Sequence, residues 1–358
     1  MEPILARRTL LGSGLTLTAL GLVGASPALA SVREAAAVPA IAGTGVWGAR
    51  ANSAAITVLA RRTAKIIIHH TATENSNDFS QAHAFALSRS IQNHHMNVNG
   101  WLDTGQHFTN SRGGYVTEGR HRSLEALNSG NKHVSSAHTS GQNDVAFGIE
   151  NEGLYTSVGP TTAQWNSLVQ LCAYMCQKHG IASSQIFGHR DFNNTACPGN
   201  TLYARLPELR TAVARSLGRA AEADPVTWRL LQPGDTGERV LVAQYLFRAI
   251  GETSVPLTGV YDQELDAAAR RLEAKHGIPV SGLVGAETWP LITAPVRSGE
   301  RGDAVRALQL LLTAHGMVNR SDGVLDGNTT TAVRNFQVRK GLRADGVANA
   351  DTWKHLLS

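Results

Sequence analysis

The sequence predicts an α/β domain, a mixed central sheet flanked by helices, followed by two small all-α three-helix modules. Three observations carry that expectation. Short β-branched runs alternate with helical patterns over about 160 residues, which one mixed sheet with covering helices accommodates. A segment rich in Ala, acidic residues and Pro then interrupts the pattern. Beyond it, glycines recur at fixed offsets, the mark of one fold unit present twice.

Composition narrows the classes further. The chain has 358 residues, enough for two or three domains. Hydrophobic residues are 42% and charged residues 17%, which excludes general disorder. Three Cys in a chain of this length exclude a disulfide scaffold. Lys and Arg exceed Asp and Glu by 33 − 28 = 5, a mild basicity that suits an anionic surface such as a cell wall or membrane headgroups. The sequence has no Gly-rich phosphate loop, no strand-GxGxxG-helix unit and no block of like charge. Nucleotide chemistry therefore has little support, and nucleic acid is not an expected partner.

The elements follow in order. Arg7 and Arg8 precede a stretch free of charge from Thr9 to Ala30 that ends Ala28-Leu29-Ala30. Residues 1–30 read as an export signal of twin-arginine type, cut after Ala30. The alternative is a membrane anchor, but Gly12, Gly14, Gly21 and Gly24 dilute the apolar run. The mature chain is therefore expected to be secreted or wall-associated, without stable membrane insertion. Residues 31–60 are Ala-rich and read as a lead-in to a domain at 61–217. Within it, residues 65–70 (KIIIHH) read as a buried strand, and 78 to about 98 as a helix capped by Asp78. Residues 106–110 and 115–119 flank Arg112-Gly113-Gly114 as a hairpin. Residues 145–152 form another strand. The helix at 161–179 is capped by Thr161 or Thr162 and stopped by Gly180. Residues 185–189 are a last short strand and 202–217 a last helix. Cys172 and Cys176 fall on the apolar stripe of the 161–179 helix and read as core packing.

Residues 218–228 read as a linker, followed by repeats at 229–293 and 294–358. Gly234, Gly237, Val240, Gln244 and Gly251 recur 65 residues later, and Gly259, Asp262, Gly277, Gly282 and Trp289 recur 64 later. One deletion between Gly251 and Gly259 explains the shift. Each copy reads helix, turn, helix, turn, short helix, with Asp326 capping the middle helix of the second.

Eleven of the fourteen His lie between residues 69 and 189. Most imidazoles ligate nothing, but two stand in a special context. His69 ends a buried strand. His189 ends another, in Phe187-Gly188-His189-Arg190-Asp191, and Cys197 follows eight residues later. Two imidazoles and a thiolate fill three corners of a tetrahedral zinc site and leave the fourth open, the catalytic arrangement rather than the structural one.

These stretches resemble a known family, the zinc-dependent N-acetylmuramoyl-L-alanine amidases of the peptidoglycan-recognition-protein type. The matching motifs are Ile67-Ile68-His69-His70-Thr71-Ala72, Gly100-Trp101-Leu102-Asp103-Thr104-Gly105, His107-Phe108 and Glu118-Gly119-Arg120. Further along they are Ala137-His138-Thr139, Gly148-Ile149-Glu150 and Gly188-His189-Arg190 through Cys197-Pro198-Gly199. The resemblance implies Zn2+ on His69, His189 and Cys197, with His69 chosen over His70, and Thr195 near the oxyanion. Many members carry a Tyr before the His-Phe pair where this chain has Gln106, which cannot act as a base. Other branches use a Glu in the Gly-Ile-Glu strand, so Glu150 is assigned as the general base, with a supporting polar contact from Gln106. His138 is expected to help stabilise the oxyanion. His95, Trp101 and Arg120 are expected to line the groove for the glycan strand and stem peptide of peptidoglycan, unless they are loop packing.

The two repeats resemble the three-helix peptidoglycan-binding module. The second matches better, with Asp326, Phe336-Gln337, Asp345-Gly346 and Trp353. The first departs at the signature pair, with Leu272-Glu273 where the family has Phe-Gln. Three rival functions remain open on the residues. Glu150 and Glu152, on one side of a strand, could serve a glycosidase. Cys197 with His189 could act as a thiol nucleophile and its base. The chain could also bind the wall without cutting it.

Overall fold

The computed structural model describes residues 37–318 and 320–358. The expected export signal and the first residues of the lead-in lie outside them. The strands are β1 (Ile41–Ala42), β2 (Val58–Leu59), β3 (Lys65–His70), β4 (Phe108–Asn110), β5 (Val116–Glu118), β6 (His133–Val134), β7 (Ala146–Asn151) and β8 (Ile186–Gly188). Six of them form one sheet in the order β1-β5-β4-β7-β3-β8, and β2 pairs with β6 separately. The sheet is mixed: β4 and β5 form the antiparallel hairpin, and the other pairs are parallel.

Alternation along the central strands decides what each face carries. Ile66, Ile68, Phe147 and Ile149 pack with Leu168, Leu171 and Met175 of α4 (Thr162–His179) and Leu209 and Val213 of α6 (Leu206–Ser216) in one buried cluster. Their neighbours His69 and Glu150 therefore turn to the opposite face, and they stand side by side in the β3–β7 register. Helix α2 (Gln81–Asn97) lies on that second side, where Ser88 Oγ meets Thr117 Oγ1 of β5 at 2.7 Å.

The sequence reading differs from the structure at four places. Helix α2 begins later than expected, capped by the Ser80 side chain, which accepts from the His83 N–H; Asp78 instead accepts the Ser80 N–H at 2.9 Å. The last helix of the domain is two, α5 (Asn200–Ala204) and α6, broken at Arg205. The lead-in is folded from β1 onward: β1 adds an edge to the sheet, and Trp47 of α1 (Thr44–Trp47) is buried, its Nε1 donating to Glu118 O at 2.8 Å. Glu152 lies one residue past the end of β7. Cys172 and Cys176 are buried in the α4 core, and burial pushes both thiols up, that of Cys176 to about 12.

After α3 (Ser123–Ser129), which packs near α4, and the segment beyond α6, the repeats follow as α7 (Glu238–Ala249), α8 (Gln263–His276) and α9 (Trp289–Ile292), then α10 (Asp303–Ala314), α11 (Gly327–Arg339) and α12 (Ala350–Leu357). Their small bridges recur at the sequence offsets: Leu231 with Val284 and Thr236 with Val260, then Val296 with Ala348 and Arg301 with Val324. Asp326 caps α11 as expected. The two copies are not separate beads, because α7 packs on α10 and one hydrophobic cluster runs through both.

Candidate metal centre

A pocket of about 280 Å³ opens at the C-terminal ends of β3 and β7. His69, His70, His95, Trp101, Gln106, His138, Glu150, His189, Thr195 and Cys197 line it. Nine of the ten expected site residues are thus gathered at one place from segments up to 128 residues apart. Arg120 is the exception. Its guanidinium is buried and donates to the carbonyls of Thr104 and Ser135, at 2.8 and 3.0 Å, so it holds loops together and does not reach the pocket. The motif acid Asp103 is structural in the same way, accepting from Gln92 and from the His121 N–H.

His69, His189 and Cys197 each offer a ligand atom, and the three atoms lie within 4.8 Å of one another. His69 Nδ1 is 3.7 Å from Cys197 Sγ. Bond lengths of about 2.0 Å for nitrogen and 2.3 Å for sulfur at a tetrahedral angle separate two donors by about 3.5 Å. The set therefore fits one ion, and its chemistry, two imidazoles and a thiol, suits a borderline-soft metal.

The surrounding hydrogen bonds fix which ring nitrogen is free. His138 Nε2 lies 3.1 Å from the carbonyl of Ala146, an acceptor, so it carries the proton. His138 Nδ1 is then an acceptor, and His69 Nε2 donates to it at 3.0 Å. The lone pair of His69 is left on Nδ1, the atom facing Cys197. At His189 the outer nitrogen Nε2 donates to Asn193 Oδ1 at 3.2 Å, leaving Nδ1 free. Outer partners of this kind orient metal-binding imidazoles and tune their basicity. Burial, reinforced by neighbouring His189 and His138, holds His69 well below the usual imidazole range, and burial takes His189 to about 4. Both are neutral near pH 7, as ligation requires. Burial pushes the Cys197 thiol to about 12 without a metal; a cation at the site reverses that by favouring the thiolate.

Two expectations change here. Both nitrogens of His138 are engaged, so it has no N–H for an oxyanion and instead orients His69. Glu152 does not face the pocket with Glu150: its carboxylate accepts from the Arg112 N–H at 2.8 Å and meets His83 Nε2 at 2.6 Å. That leaves a single carboxylate in the pocket. Burial raises the Glu150 carboxyl to about 8. Thr195 Oγ1 accepts the Cys197 N–H at 3.1 Å, which leaves the hydroxyl proton available. The Gln106 amide donates to Thr109 Oγ1 at 2.9 Å, while its buried Oε1 has no partner. A second depression, lined by Thr71, Ile91, His94 and Asn99, shares Glu150 and His95 with the pocket and extends it into a groove.

Residues 59–200 match the family model described as N-acetylmuramoyl-L-alanine amidase, and residues 236–292 and 301–356 match a peptidoglycan-binding domain. The N-acetylmuramoyl-L-alanine amidase CwlL of Bacillus licheniformis is 25% identical over 339 residues, covering 80% of this chain and 90% of that protein. A peptidoglycan recognition protein of Trichoplusia ni is 35% identical over 147 residues, 40% of this chain and 74% of that protein. The X-ray structure of bumblebee PGRP-SA aligns at 26% identity with a TM-score of 0.41, over 47% of this chain and 94% of that one.

Proposed function

The chain belongs to the N-acetylmuramoyl-L-alanine amidases of the peptidoglycan-recognition type and hydrolyses the amide between N-acetylmuramic acid and L-alanine; from that premise we propose that it does so with Zn2+ held by His69, His189 and Cys197. The observation that carries the metal is the convergence of three donor atoms within 4.8 Å of one another, with the lone pair of His69 left on Nδ1, 3.7 Å from Cys197 Sγ. When bound, the ion supplies a Lewis acid that acidifies water and polarises the scissile carbonyl. Glu150 takes the proton of the attacking water and delivers it to the nitrogen of L-alanine as the C–N bond breaks. It needs its ionised form for the first step, and a cation beside it favours that form. Thr195 donates its free hydroxyl proton to the oxygen that gains charge, a contribution on the order of 3 kcal/mol for such a donor. Trp101 and His95 line the wall where the glycan and stem peptide enter.

The peptidoglycan-binding repeats hold the enzyme on its polymer. We assign the chain to the cell wall or the medium outside the cell, delivered by the twin-arginine-like segment at residues 1–30. Among the described residues no helix is long and apolar enough to cross a membrane.

The test combines Glu150→Gln with metal analysis. The variant should retain about one zinc per chain and lose turnover of a soluble muropeptide by 10²-fold or more. Chelation should silence the wild type, and digestion should release new amino termini rather than reducing ends. Full activity in the variant would overturn the base assignment, and activity in metal-free protein would overturn the zinc.

A further inference from the structure

The loop between two of the proposed ligands, His189 and Cys197, is gripped by the first repeat. Asn194 is buried there. Its Nδ2 donates to Glu273 Oε1 at 3.0 Å and to Thr288 Oγ1 at 2.6 Å, and its Oδ1 accepts the Glu287 N–H at 3.0 Å. The Glu287 carboxylate in turn accepts from the Asn194 N–H at 2.8 Å and from Asn193 Nδ2 at 3.2 Å. Asn193 is the residue that accepts from His189. A continuous chain of hydrogen bonds thus runs from Glu287 through Asn193 to His189.

The second repeat shows what the first has given up. There Gln337 supplies the buried amide, donating to Thr352 Oγ1, Asp345 Oδ1 and the Val347 carbonyl. Asn349 supplies the oxygen that caps α12, accepting the Thr352 N–H. The equivalents in the first repeat are Glu273 and Gly285. A carboxylate has no N–H to donate, and glycine has no side chain. Asn194 fills both gaps: its amide takes the donor role of Gln337, and its carbonyl accepts at the turn into α9. Glu273 completes the switch by accepting from Ser281 N and Oγ, where the second repeat has Asp345 accepting from Gln337; its bond from the Gly282 N–H matches that of Gly346 to Gln337 Oε1. Gly285 is also required sterically, since a Cβ there would sit 2.8 Å from Asn194 Oδ1.

We infer that the first repeat is an intramolecular brace, which positions His189 and the 189–197 loop through Asn193 and Asn194. The inference rests on the proposed metal ligation for its consequence but not for its contact. Glu273, Gly285 and Glu287 are positioning residues; none touches the pocket. The departure from the Phe-Gln signature has a use in this light, because a Gln at 273 and a side chain at 285 would make the repeat self-sufficient and close the socket.

The test uses the full-length protein with the double substitution Glu273→Gln and Gly285→Asn, which copies the second repeat, and separately with Asn194→Ala. Hydrogen exchange is followed in residues 189–197 and in α8, and zinc affinity is measured by chelator competition. The expected result is faster exchange in the loop, unchanged protection in α8 and zinc binding 10–100-fold weaker. Saturating zinc should restore kcat on a soluble muropeptide with KM unchanged. Wild-type loop exchange and wild-type zinc affinity in a variant whose α8 stays protected would overturn the brace. If the double variant loses α8 protection, Asn194→Ala decides on the same two readouts. Should the wild type itself bind no zinc, the metal reading fails, and loop exchange alone still decides whether the repeat grips it.

Discussion

At the scale of single residues, the pocket depends on groups that make no chemical step. Gly148 lies on the pocket face of β7, and a Cβ there would meet the His138 ring at 2.5 Å. The glycine of the Gly-Ile-Glu motif is therefore the floor on which the imidazole lies. Gly148→Ala should cost about 1–3 kcal/mol through overpacking and should cost more in the zinc-loaded protein, because the displaced ring no longer orients His69. Urea melts with and without zinc measure this; equal losses in the two states would refute the link to the metal. The proposed ligands could be picked out in the sequence, since His69 and His189 stand at the ends of short strands and Cys197, with its thiol, follows eight residues later. The orienting roles of His138 and Asn193 were not. Each depends on which ring nitrogen bears a proton, and that is fixed by a carbonyl or an amide that only the fold brings near. Arg120 misled for a related reason: a cation in a matching motif says nothing about whether its guanidinium meets ligand or backbone.

At the scale of elements, legibility followed the strength of the local pattern. The run at 65–70 was found to the residue because three consecutive Ile mark a strand buried on both faces. The two-residue strand β1 has no periodicity to read, and only its pairing with β5 reveals it. Asp78 and Ser80 are both plausible caps, and the choice depends on where the first turn closes. Helix α4 ends in a residue with a measurable consequence. His179 Nδ1 accepts the Thr63 N–H at 3.1 Å and Nε2 donates to the Leu127 carbonyl at 3.2 Å, so the fold requires the neutral ring. Burial lowers it from 6.5 to about 4. Between those values the unfolded chain binds a proton that the folded chain does not, so stability is full above pH 6.5 and falls as pH drops toward 4. The loss from this residue is on the order of 2–3 kcal/mol. Denaturant melts from pH 7 to 4.5 should show it in the wild type and a shallower slope in His179→Gln. Parallel slopes in the two proteins would remove His179 from the account.

At the scale of the molecule, two hydrophobic clusters share no member. One joins the sheet to α4 and α6, and the other runs through both repeats. The repeat offsets made two modules legible, but not their fusion, because glycine spacing reports turns and is silent about which helix faces meet. That fusion makes an unusual truncation prediction. A chain ending at residue 217 keeps the first cluster whole and leaves Asn194 to water, which can satisfy its amide. A chain ending at residue 293 keeps α7 but removes α10, which covers it. Each apolar side chain so exposed forfeits about 1.5–3 kcal/mol, more than a module of some sixty residues can absorb several times over. The longer product should therefore be the less stable one, with a lower first melting transition, stronger binding of a hydrophobic dye and poorer recovery in the soluble fraction. The shorter product should melt in one transition and lose retention on insoluble wall. Equal solubility, together with an unshifted melt of α7 and α8 in the 293-residue product, would show that the first repeat folds on its own and that the shared cluster does not bind the two copies into one unit.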